Sequence, residues 1–144
     1  MRLRTVAAAS MVAVAAAGTL APALAAPAKP ITKTYTATAV TPDGTPVAGD
    51  ICDPVLPTAK HEEAFKVPGP GTLKVTMVQE LDWALALIDS KGKRLAESDG
   101  GVPTDKESMQ VKFKKATDVV IRSCNFAGTP TSEITYTFTP AGKK

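Results

Sequence analysis

This chain has little of what catalysis and metal binding draw on. Its 144 residues include one histidine, two cysteines and one tryptophan, and aromatic residues make up only 5%. A nucleophile needs a base within reach. The single histidine, His61, stands beside Glu62 and Glu63 at the start of a strand pattern, where a solvated side chain is expected. There is no GxSxG elbow and no EF-hand spacing. The cysteines, Cys52 and Cys124, form no CxxC and have no histidine close by in sequence, which speaks against a zinc or redox motif. No enzymatic activity is expected, and no catalytic residue is assigned.

Beyond the first 25 residues the chain lacks any long apolar run. What precedes that point has three parts: Arg2 and Arg4, an apolar stretch from Val6 to Leu20, and the small-x-small site Ala23-Leu24-Ala25. In this order they read as a secretory signal peptide. The stretch is short for a membrane span, which needs roughly 20 apolar residues. The expectation is cleavage after Ala25, leaving a single secreted domain over residues 26–144 with no membrane anchor. The leader removes two of the seventeen basic residues, which leaves fifteen against fourteen acids. Such a balance gives no reason to expect nucleic acid as a partner. Export would place both cysteines in an oxidising compartment, so a Cys52–Cys124 disulfide is expected. Closing a loop of about seventy residues stabilises by roughly 4 kcal/mol in the chain-entropy account.

The body of the chain has a hydrophobic period of two. Tyr35, Ala37 and Ala39 alternate with polar neighbours, as do Phe65 and Val67, then Leu73, Val75 and Met77. The segment ELDWALALIDSKGKRLAES is ambiguous. As a helix it would need an apolar face wider than half its circumference. As a strand it puts Trp83, Leu85 and Leu87 on one face and small Ala84 and Ala86 on the other. Asp89-Ser90-Lys91-Gly92 then supplies a turn. A hairpin is therefore predicted. Met109, Val111 and Phe113 alternate again, Val119 to Ile121 are apolar on both sides like an inner strand, and Ile134, Tyr136 and Phe138 close the series with threonines facing out. About eight short strands with turns between them predict an all-β, antiparallel β-sandwich, jelly-roll-like, with one disulfide.

The order of FKVPGPGTLKVTM, LDWALALIDSKGKRLAES, VKFKKATDVVIRSCNFAG and ITYTFTP resembles the bacterial pre-peptidase C-terminal (PPC) domain. Phe65, Val67, Gly71, Leu73 and Val75 carry the first part of that resemblance. Asp82, Leu85, Leu87, Asp89 and Gly92 carry the second, and Ile134, Tyr136 and Phe138 the last. It covers residues 61–140. The resemblance implies a secreted, non-catalytic β-sandwich that usually accompanies a peptidase, with calcium or a polymer as ligand in some relatives. This chain departs from the pattern in carrying no peptidase domain. It also has Trp83-Ala84 after Asp82, where many relatives place a second acid.

Several residues are candidates for binding. Calcium takes six to eight oxygen ligands. Asp82, Asp89 and Asp99 are the first candidates, with Glu97 and Asp105 beside them, although Asp89 and Asp99 also suit ordinary turns. No other cofactor is expected. Phe126 is the one ring expected to be exposed, since the other aromatics fall on inner faces. Lys112 and Lys114, with Lys115, form a basic run suited to a solvated strand face or to acidic wall polymers. The expected role is binding or structural support outside the cell, with a protein, wall polymer or polysaccharide as partner. The alternative is an inhibitor of hydrolases that presents the Pro-rich loop around Cys52, because a bridge and prolines both pre-organise a segment.

Overall fold

The computed structural model describes residues 28–40, 52, 57–78, 82–99 and 106–142. The expected leader, most of the Cys52 loop and Asp105 lie outside them. Eight strands form: β1 Ile31–Thr38, β2 Lys60–Val67, β3 Gly71–Val78, β4 Asp82–Asp89, β5 Arg94–Ser98, β6 Glu107–Phe113, β7 Thr117–Ala127 and β8 Thr131–Pro140. One short 3-10 turn, Pro57–Ala59, precedes β2.

The strands make two four-stranded antiparallel sheets. The first has the order β1-β8-β3-β6 and the second β2-β7-β4-β5. Strands therefore pair in nested fashion, β1 with β8, β2 with β7, β3 with β6 and β4 with β5. This all-β sandwich is the one expected, and its nested order is compatible with a jelly roll. β7 is an inner strand between β2 and β4. Val119 and Ile121 face the core between the sheets, while Val120, on the other face, is half-buried.

Period-two alternation turns one face of each strand inward. Val67, Leu73, Val75, Met77, Trp83, Leu85, Leu87, Ile121, Ile134 and Phe138 are almost wholly buried between the sheets. Tyr35, Phe65 and Phe113 are half-buried against them. Burying one such large side chain contributes about 1.5–3 kcal/mol. The Trp83 indole N–H donates to the Thr129 carbonyl at 3.2 Å, so its polar edge is satisfied. Gly71 starts β3 under Phe138, where a Cβ would collide with that ring and lie 2.6 Å from the Thr139 oxygen. No larger residue fits there without displacing the ring.

The β4–β5 hairpin forms as predicted. The Gly92 N–H donates to the Asp89 carbonyl at 3.0 Å, and Gly92 takes φ 79°, a left-handed conformation that glycine tolerates. The Asp89 carboxylate accepts the N–H groups of Lys91 at 2.8 Å and Lys93 at 2.9 Å.

The Cys52–Cys124 bridge is present, with 5.3 Å between Cα atoms. It does more than close a loop. Ala84, Ala86, Ile88, Cys124 and Phe126 lie on the outer side of the second sheet, and Cys52 lies over them to form a second, smaller core. The Cys52 sulfur sits 3.8 Å from the Ala84 oxygen and 3.7 Å from the Arg122 oxygen; a bridged sulfur carries no proton, so these are packing contacts. Arg122 donates from Nη1 to the Cys52 carbonyl at 3.3 Å and from Nε to Glu62 at 2.8 Å. The two alanines are small where Cys52 packs over them.

Candidate functional site

Phe126 is not the exposed ring that the sequence suggests. It is 8% exposed. Two residues beyond Cys124 on the same strand face, it is drawn into the cluster beneath Cys52. No aromatic stacking platform exists at that position.

The three aspartates expected for calcium do not come together. Asp82 and Asp89 begin and end the eight-residue β4. At about 3.3 Å per residue they stand roughly 23 Å apart, too far to share an ion. Asp89 is engaged by its own turn, and the N–H groups of Lys93 and Lys91 hold its carboxyl below the ordinary value. Asp82 moves the opposite way: partial burial raises its carboxyl, and the charges of Asp99 and Glu107 raise it further. Glu107 is buried and bonded to the Ser98 hydroxyl, which also accepts the Ser108 N–H at 3.1 Å. Among the described residues no three His, Cys, Asp or Glu side chains gather closely enough to hold a metal. Glu97 pairs with Arg94 at 2.7 Å.

His61 is more enclosed than a solvated strand-end residue. Its ring stacks on Tyr35 with centroids 5.5 Å apart, and its Nδ1 accepts the Thr38 N–H at 3.4 Å. Burial pushes the Tyr35 hydroxyl well above its ordinary value, and the charges of Glu63 and Tyr136 add to this. The cross-strand neighbour of His61 is Ser123. Ser123 is wholly buried, so a substrate cannot reach its hydroxyl. On β2, Glu62 feels opposing effects. Burial works to raise its carboxyl, but hydrogen bonds and charge from Arg122 and Lys60 outweigh that and hold it low.

The outer face of the first sheet is quite different, and it emerges only when the strands are put in order. β1 turns Thr32, Thr34, Thr36 and Thr38 outward, and all are exposed. The register sets Thr34 beside Thr135, Thr135 beside Thr76, and Thr76 beside Ser108. Four hydroxyl residues thus cross the whole sheet in one row. The next row runs Thr32, Thr137, Lys74, Gln110. The hydroxyls of Thr32 and Thr137 are 3.0 Å apart, and those of Thr34 and Thr135 are 2.8 Å apart. Threonine is β-branched and suits strands, and such cross-strand pairs contribute about 0.2–1 kcal/mol each. A threonine at every other position was visible in β1 and β8, yet their alignment with β3 was not. Lys112 and Lys114 are exposed as expected, with Lys112 beside Thr72 on this face.

At one end of the sandwich, Lys66, Lys91 and Lys115 line an open hollow of about 420 Å³ together with Asp89 and Asp118. Of the Cys52 loop, only Cys52 and the turn at Pro57–Ala59 belong to the described residues; the stretches 41–51 and 53–56, which the inhibitor reading invokes, lie outside them.

No known protein-family model matches the chain, and no curated protein sequence matches it. The functional reading therefore rests on the residues themselves. No helix among the described residues is long and apolar enough to cross a membrane.

Proposed function

We propose that this chain is a secreted, non-catalytic binding module that holds an extracellular polymer against the outer face of its first sheet. The observation that carries this reading is the row of hydroxyls from Thr34 through Thr135 and Thr76 to Ser108. A sheet face lined with hydroxyls at a fixed spacing offers donors and acceptors to a hydroxyl-rich polysaccharide. Each contact is weak, and a repeating ligand gains by making several at once. The leader-like first 25 residues support export, and the motif order over residues 61–140 supports likeness to the PPC domain. Neither bears on which polymer is bound.

The test is co-sedimentation of the oxidised chain from Ala26 with cell walls and insoluble polysaccharides, at low and physiological salt. Pelleting with one polymer at physiological salt is the expected result. A protein that stays in the supernatant with every polymer would contradict the proposal.

A further inference from the structure

The charged residues are divided between the two ends of the sandwich. One end is formed where β2, β4 and β6 stop and β3, β5 and β7 begin. It carries Lys66, Lys91, Lys93, Lys112, Lys114 and Lys115, all exposed. Its only acids among the described residues are Asp89 and Asp118, and Asp89 already accepts two backbone N–H groups. The opposite end carries Asp82, Asp99 and Glu107, with Lys60 and Lys106 beside them, so there acids outnumber lysines.

The basic groups also differ in how they are used. Lys33, Lys60, Arg94 and Arg122 each pair with a carboxylate. None of the six lysines at the basic end takes part in these ion pairs. Three of them, Lys66, Lys91 and Lys115, come from β2, the β4–β5 turn and the β6–β7 turn, and surround the same 420 Å³ hollow. Asp89 and Asp118 also line the hollow, but six exposed lysines against these two acids leave this end with a net positive charge, and a cleft with net charge of one sign attracts ligands of the other.

We infer that this end binds an acidic extracellular polymer, a sugar or polyol chain bearing carboxylate or phosphate groups at intervals. The inference deepens, and rests on, the reading of the chain as a polymer-binding module. Lysine is a compact, mobile point charge without the planar fork with which arginine grips one carboxylate or phosphate bidentately. Three lysines on separate elements around an open hollow suit successive charges along a chain better than one small anion. Exposed pairs of this kind are individually weak and screened by salt, so a chain that engages all three at once is held where a monomer is not. Lys112 and Lys74 continue the basic surface onto the threonine face, where Lys112 adjoins Thr72 and Lys74 adjoins Thr137. A polymer held at the hollow can therefore run on across the hydroxyl rows.

The test is affinity electrophoresis of the oxidised chain through gels containing polygalacturonate, poly(glycerol phosphate), duplex DNA or neutral dextran, at low and physiological salt. It compares the wild type with K66Q/K91Q/K115Q and with Lys106→Gln near the other end. The expected result is retardation by a polyanion, weakening with salt. Loss of three exposed pairs should reduce affinity about tenfold or more, while Lys106→Gln behaves as wild type. Retardation by polygalacturonate alone assigns carboxylate as the recognised group, and by poly(glycerol phosphate) alone, phosphate. Undiminished binding by the folded triple variant would overturn the inference, as would equal retardation by duplex DNA. If neutral polymers still pellet the protein but neither polyanion retards it, this inference fails and the binding-module reading stands. If no polymer of any kind is bound, both fail.

Discussion

The two sheets share one core but use their outer faces in opposite ways. On the second sheet, Ala84, Ala86, Ile88 and Phe126 are sealed beneath Cys52, and the bridge to Cys124 holds the cover down. On the first sheet, threonines stand open to solvent and bond to one another across strands. Small apolar residues mark the face that is covered, and β-branched polar residues mark the face that is not. The covered face contributes to stability. The open face can change its chemistry at little cost to the fold, and so it is free to serve binding.

The largest expected effect comes from breaking the cover. Replacing both bridge cysteines in C52A/C124A should lower unfolding free energy by roughly 2–5 kcal/mol, measured by urea denaturation. A loss well below that range would mean that the loop adds little to the second sheet. A smaller and more local effect should follow from matched substitutions on the two faces. Ala84→Leu forces a larger side chain beneath Cys52 and should cost about 1–3 kcal/mol. Thr34→Leu, on the open face, should stay within about 0.5 kcal/mol of wild type. Equal costs at the two positions would erase the contrast.

The smallest effects concern the two ends of β4. Asp89 is held below the ordinary carboxyl value of 3.8, so its contribution to stability is present above that pH and lost as pH falls through its folded value. Asp82 is held above 3.8, so its contribution is present below that pH and lost as pH rises through its folded value. Asp89→Asn should therefore flatten the acid side of the stability profile and lower the melting temperature at neutral pH. Asp82→Asn should leave the protein at least as stable as wild type at neutral pH. Thermal melts across the acid range check both, and matching profiles for the two variants would refute the opposition.

Much of this fold was legible in the sequence because its signals are local. Alternation marked the strands, Asp89 and Gly92 marked the hairpin, and two cysteines allowed only one pairing within the chain. Properties that depend on strand order were not legible. Phe126 looked exposed, although it stands two residues beyond Cys124 on the face where the expected bridge brings Cys52; the signal was there, but the packing over that face was not drawn from it. The nearness of Asp82 to Asp99 and Glu107, which raises its carboxyl, depends on how β4, β5 and β6 come together and could not be read from the sequence. Outward threonines could be read along β1 and β8, but the rows join residues such as Thr34 and Thr135 that are distant in sequence. The basic end has the same origin, since the end of β2 and two turns far apart in sequence meet around one hollow.

The most direct measurement is the retention of a T34A/T76A/T135A variant on the polymer that pellets the wild type, at physiological salt. Circular dichroism and melting temperature would first establish that the sandwich is intact. If the open face holds the polymer, the folded variant should remain in the supernatant while Ala84→Leu, altered on the covered face, still pellets. A folded triple variant that pellets as well as wild type would contradict the account.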